Sequence, residues 1–147
     1  MTFDFEFRKI IFGSEEYRQS LKLREQILRI PLGLKLTPQE LERDKRDLHL
    51  GGFKGEQLIA CLVLSKLSSQ RMKMRQVAVL EELQCQGVGA KLVKFSEEIA
   101  LENKIFEMEL SARATALKFY LRQGYLAQGE SYSEQNIPHI KMFKALV

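Results

Sequence analysis

Residues 72–96 read MKMRQVAVLEELQCQGVGAKLVKFS: a strand-like run over 72–80, an acidic connection Glu81-Glu82-Leu83, and a turn, Gln84-Cys85-Gln86-Gly87-Val88-Gly89, that opens into a helical pattern. Val88, Leu92, Phe95 and Ile99 recur at helical spacing, so a helix begins at or just after the glycines. The first turn of a helix leaves backbone N–H groups without intrahelical partners at the positive end of the dipole, and that end suits an anion. Gly87 and Gly89, lacking Cβ atoms, let a bulky phosphate come close to the chain. The turn therefore reads as a pyrophosphate site. Its spacing fits neither common phosphate signature, because Ala90-Lys91 follow Gly89 without a third glycine and no Gly-Lys-Ser/Thr is present. A different nucleotide-like ligand is implied.

Outward from this stretch, the chain alternates strands and helices. Phe3, Phe5 and Phe7 alternate with charged residues as a half-buried first strand, and Ser14 caps a helix carrying Tyr17, Leu21, Arg24 and Leu28 on one face. Pro31 and Gly33 stop it. Thr37-Pro38-Gln39-Glu40 has the form of a capping box, starting a short helix with Leu41 as its inner residue. The runs 48–53 and 57–64 flank Lys54-Gly55-Glu56 as an antiparallel hairpin. After the helix that follows the glycines, 105–110 reads as a strand and 114–121 as a helix ended by Gly124, so a parallel crossover is expected. Two closing strands, from Tyr125 onward and over 137–146, are joined by a polar loop at 129–136.

The 147 residues, 45% hydrophobic and 29% charged, suffice for one domain spanning 1–147 with a proper core. The net charge of +4, from 23 basic and 19 acidic residues, is spread along the chain, which argues against a nucleic-acid-binding protein and mildly favours an anionic ligand. No run is long enough to span a bilayer, and residues 1–14 lack the apolar core of a signal peptide. Cys61 and Cys85, without CxxC spacing or a nearby His, read as reduced thiols in a cytoplasm, with no metal.

The glycine turn resembles the Gln/Arg-x-x-Gly-x-Gly/Ala acetyl-coenzyme A signature of the GNAT superfamily of N-acetyltransferases. Arg75-Gln76-Val77-Ala78-Val79 before the turn, Ala116 with Phe119-Tyr120 in the next helix and Gly124-Tyr125 after it fall where that family places such residues. The segments Leu23-Arg24, Pro31-Leu32-Gly33, Asp47-Leu48-His49 and 137–142 are similar to a bacterial subgroup of small members. The resemblance implies an α/β (α+β) fold: a mixed central sheet of about six to seven strands with about four helices, and strands 4 and 5 splayed apart. It also implies transfer of acetyl from acetyl-coenzyme A to an amine, by direct attack with both substrates bound. The acceptor would be a small-molecule or peptide amine, with no nucleic acid or membrane as partner and a homodimer left open. Arg113 stands where the family often carries an asparagine.

By the same resemblance, the pantetheine arm would lie along the backbone of Val77, Ala78 and Val79, and the pyrophosphate on Gln84, Cys85, Gln86, Gly87, Val88, Gly89 and Ala90. Tyr120, four residues before Gly124, stands at the family's general acid, the alternative being a buried aromatic beside Phe119. His139 or Glu134 would take the proton of the amine; a structural histidine and a solvated carboxylate are the competing readings. With regular alternation Arg75 shares a strand face with Val77 and Val79, and Arg75 and Arg24 would bind a carboxylate or phosphate on the acceptor, unless both form surface ion pairs. His49 has a weaker claim to the base role than His139, and Cys85, with no His or Asp partner nearby in sequence, reads as incidental rather than as an acyl-cysteine nucleophile. A non-catalytic acyl-coenzyme A-binding or regulatory domain is the other reading of the same turn.

Overall fold

The computed structural model describes residues 5–147; Phe3, expected in the first strand, lies outside them. One seven-stranded sheet runs through the molecule in the order β1-β2-β3-β4-β5-β7-β6. Its strands are β1 (Glu6–Ile10), β2 (Leu48–Lys54), β3 (Gln57–Lys66), β4 (Arg71–Val79), β5 (Glu107–Arg113), β6 (Leu126–Glu134) and β7 (Ile137–Ala145). All neighbours pair antiparallel except β4 and β5, which are parallel and joined by α3 (Val88–Glu102).

The helices divide the two faces. Helix α1 (Glu15–Leu28) packs on β3 and β4 from one side, and α2 (Pro38–Asp44) joins it through the buried Arg24–Asp44 pair. On the other side α3 and α4 (Leu117–Arg122) cover a core that includes Leu62, Leu64, Met74, Leu92, Leu110, Tyr120 and Met142. Local chemistry sets the ends of α1 and α2. The Ser14 side chain accepts from Tyr17 N–H, and Thr37 and Glu40 form a complete capping box.

Two expectations need correction. Leu41 is 37% exposed; the inner residue of α2 is Asp44, because the side chain available for pairing on α1 is a buried arginine. Residues 129–134 are not a loop but the second part of β6, and the reversal is a tight turn at Gln135 and Asn136, both at positive φ. Every residue of β6 is exposed, so its composition is polar although its backbone is paired to β7.

Candidate active site

The site is built on an irregularity in β4. Cys61 pairs with Ala78 but Val63 pairs with Arg75, so Gln76 and Val77 together stand opposite Leu62. Gln76 takes φ 52, a left-handed angle at a non-glycine residue, and the bulge inverts the alternation of side chains. Before it, Met72 and Met74 point into the α3 core; after it, Val77 and Val79 do, and Ala78 turns to the α1 side. Arg75 therefore lies on the face opposite Val77 and Val79, correcting the expectation from regular alternation.

Buried polar groups hold this bulge. Arg24 Nε donates to Gln76 Oε1 at 2.6 Å, and Gln76 Nε2 donates to Glu40 Oε2 at 2.9 Å, where Arg29 Nη2 also donates at 2.7 Å. Arg24 completes the network with two bonds to Asp44, at 2.8 and 3.1 Å, and Tyr17 donates its hydroxyl proton to the same carboxylate at 2.6 Å. Burial would raise the Glu40 carboxyl, but Arg29 and Thr37 outweigh it and hold it below the ordinary carboxylate range. Arg24 is 0% exposed, so its donors are committed inside the protein; it supports the bulge and does not face an acceptor. His49 joins the same network through Asp44 O at 2.8 Å.

Beyond the bulge the two parallel strands separate. Their register runs from Arg71↔Glu107 to Met74↔Leu110 and stops, leaving residues 75–79 of β4 and 111–113 of β5 without each other. Leu80 N–H donates to Ile59 O, so the alternate residue Val79 turns its N–H away from β3, toward the opened edge. A cavity of about 420 Å³ passes through this opening. Arg75, Val77, Tyr120, Glu134 and His139 line it, together with Arg29, Glu40, Arg43, Lys73, Ser111 and Arg113, which sequence reading did not assign to an acceptor site.

At the end of β4 the chain forms the expected turn. Cys85 (φ 65) and Gly87 (φ 86) are left-handed, and Gly87 has nothing within 4 Å of where a Cβ would stand. Gly89 is different: it has no left-handed angle, and a Cβ there would make ordinary contact with the Phe119 ring at 3.4 Å. The first backbone bond of α3 is Lys91 N–H to Gly87 O at 3.1 Å, and the N–H groups of residues 85–90 find no partner among the described residues. Such consecutive free amides at a helix start form an anion cradle that fits a pyrophosphate. Gln84 is excluded from it: its N–H donates to Glu81 O at 3.3 Å and its side chain to Val79 O at 3.0 Å. The Val88 side chain is core, so only its amide is available.

Three candidates for proton transfer reach the opening from opposite faces. Tyr120 comes from α4, edge-on to Phe119 and Tyr125, with its hydroxyl unbonded among the described residues. Burial pushes that hydroxyl well above the ordinary phenol value. His139 pairs with Arg113 across β7 and β5, and Ser111 pairs with Lys141, so His139, Arg113 and Ser111 share the α1 side. His139 Nδ1 lies 2.8 Å from Ile137 O; a carbonyl only accepts, so Nδ1 carries the proton and Nε2 is left facing Glu134 Oε2 at 3.5 Å. Glu134 is the last residue of β6 and also accepts from Ser111 Oγ at 3.3 Å, while Ser111 contacts the Tyr132 hydroxyl.

Comparison with known proteins agrees with this geometry. Residues 36–146 match the family model described as Acetyltransferase (GNAT) domain. Over 107 residues the chain is 29% identical to an uncharacterized N-acetyltransferase of Chlorobaculum tepidum, the match covering 71% of this chain and 65% of that protein's length. An acyl-CoA N-acyltransferase from Pseudomonas aeruginosa has a TM-score of 0.81 at 24% identity, covering 98% of this chain and 100% of the other. A GNAT family acetyltransferase from Elizabethkingia anophelis with acetyl-CoA bound has a TM-score of 0.76 at 16% identity, over 97% and 98% of the two chains. The structural likenesses carry the fold: a mixed sheet opened between its two parallel strands. The family model, matching most of the chain, carries membership, and this chain belongs to the GNAT acetyltransferase family.

Proposed function

We propose that this chain catalyses transfer of an acetyl group from acetyl-coenzyme A to an amine by direct attack, with both substrates in the opening between β4 and β5. The observation that carries the reading is the run of free amides over residues 85–90 at the end of the same strand whose edge is exposed beside Tyr120, Glu134 and His139. Amides of Cys85, Gln86, Gly87, Val88, Gly89 and Ala90 would hold the pyrophosphate, and the backbone of 77–79 the pantetheine arm. When bound, acetyl-coenzyme A supplies a thioester whose C–S bond breaks as the N–C bond of the product forms.

The residues divide the remaining work by face. On the α1 side, His139 Nε2 and the Glu134 carboxylate are placed to take the proton that the amine loses. On the α4 side, Tyr120 Oη holds a proton at neutral pH and would deliver it to the departing sulfur. The Val79 N–H, directed at the opened edge, is a fixed donor for the carbonyl oxygen as it gains charge.

Calorimetric titration with acetyl-coenzyme A, followed by thiol release over a broad amine panel, tests the reading. Binding with turnover on at least one amine is expected. Binding without turnover on any amine would instead favour a non-catalytic acyl-coenzyme A-binding domain, and no binding would sink both.

A further inference from the structure

The charges around the opening are unevenly distributed. Five cations, Arg29, Arg43, Lys73, Arg75 and Arg113, line it against two carboxylates, Glu40 and Glu134. Glu40 is taken by Arg29 and Gln76. The Arg75 side chain makes one hydrogen bond, Nη1 to Ser65 Oγ at 3.2 Å, and the side chains of Arg43 and Lys73 have neither an ion-pair nor a hydrogen-bond partner among the described residues. Three carboxylates act on Arg75: Asp44, bonded to Arg24; Glu40, bonded to Arg29 and Gln76; and Asp47, which forms no ion pair with it and keeps a buried Oδ2 without a partner. The buried Arg29 also keeps its Nε without a partner.

Burial, and then the charge of Arg43, lowers Arg75 from the ordinary guanidinium value; burial, and then Arg29, does the same to Arg113. In both, burial is the larger cause and a neighbouring cation adds to it, a cost that a bound anion would relieve. Coenzyme phosphates do not provide it, since their amide cradle opens α3 on the opposite face of the sheet. Glu134, the other carboxylate lining the opening, lies beside His139 and accepts from Ser111, and Arg113 is the cation that acts on it. Glu134 and His139 are thus the groups suited to an amine, and Arg75 and Arg43, which form no ion pair among the described residues, the groups suited to an anion.

We propose that the acceptor is an amine that also carries a carboxylate or phosphate, its anionic group held by Arg75 and Arg43 and its nitrogen directed to Glu134 and His139. The proposal names the acceptor class of the transfer proposed above and rests on it. Guanidinium donors read either oxyanion through paired bonds, so amino-carboxylates and amino-phosphates are separate arms of the test.

Thiol release is measured with free amino acids against their carboxamides, and with aminoalkyl phosphates against the corresponding aminoalcohols. At least one anionic series should exceed its neutral partner in kcat/KM by about tenfold or more. Arg75→Met and, separately, the exposed Arg43→Gln should raise KM for that series by about tenfold without changing the neutral amines or the calorimetric affinity for acetyl-coenzyme A. Equal or better use of neutral or cationic amines, or a preference that survives both substitutions, overturns the proposal. If no amine turns over, calorimetry of the same amine pairs with coenzyme A bound decides it alone: selective binding of the anionic members, lost in both variants, supports the anion site while the transfer reading fails, and no selectivity overturns it.

Discussion

The acid role proposed for Tyr120 rests on its position and its environment. A phenol in water ionises near 10, and surrounding it with Phe119, Tyr125 and core side chains disfavours the charged phenolate, so its protonated form extends to higher pH. The sign matters for the rate profile: loss of the Tyr120 proton should impose no fall in kcat below about pH 10. Tyr120→Phe should lower kcat by about 100-fold and leave the affinity for acetyl-coenzyme A within about twofold; full activity would remove Tyr120 from the reaction. The two cysteines give a second check. Burial pushes the Cys61 thiol up to about 12, whereas Cys85 is exposed in the turn. An alkylating reagent at pH 8 should label Cys85 alone, read by peptide mass spectrometry, and acetyl-coenzyme A should slow that labelling severalfold. At this scale, sequence placed Tyr120, Glu134 and His139 around one opening, but it could not give the directions of Arg24 and Arg75. Those depend on what packs against each side chain.

Helix starts were legible because their signals are local. Ser14 and the Thr37–Glu40 box cap the helices they announce, and the glycine turn leads into α3 where its periodicity begins. The bulge in β4 left no such trace, since glutamine has no preference for positive φ and is held there by distant partners, Arg24 and Glu40. Strand β6 was read as partly loop for a related reason: an exposed edge strand needs no apolar face, and Gly129 with its polar neighbours looks like a turn. The turn before α3 carries its own prediction. A Cβ on a residue at φ 86 is disfavoured by about 1–2 kcal/mol, yet Gly87 is exposed with open space around it, so the strain falls on the loop rather than the core. Gly87→Ala should weaken acetyl-coenzyme A binding by about tenfold while moving the urea midpoint little. Unchanged affinity would show that the left-handed geometry does not shape the phosphate cradle.

Across the whole molecule, the crossover was legible from element order and the opening of the sheet from the family resemblance, but the coupling between the two halves was not. Sequence separates Arg24, Asp44 and Gln76 widely, and no local pattern marks them as one group. In the fold they tie α1, α2 and β4 together at the point where β4 reverses its alternation, so the shape of the proposed acceptor side depends on a polar network of which Gln76 lines the opening while Arg24 and Asp44 stand behind it. Removing one member exposes this dependence. Arg24→Met leaves Asp44, whose side chain is 3% exposed, without its cation, and such an uncompensated buried charge typically costs about 3–5 kcal/mol. Replacing both residues, as Arg24→Met with Asp44→Leu, removes the stranded carboxylate and should recover part of that stability in urea unfolding. Gln76 would still lack its Arg24 bond, so the double variant should regain stability without regaining acceptor KM, while acetyl-coenzyme A, whose proposed amide cradle lies after the bulge, should bind nearly as before. Recovery of both properties together would mean that Arg24 supports the fold but not the bulge.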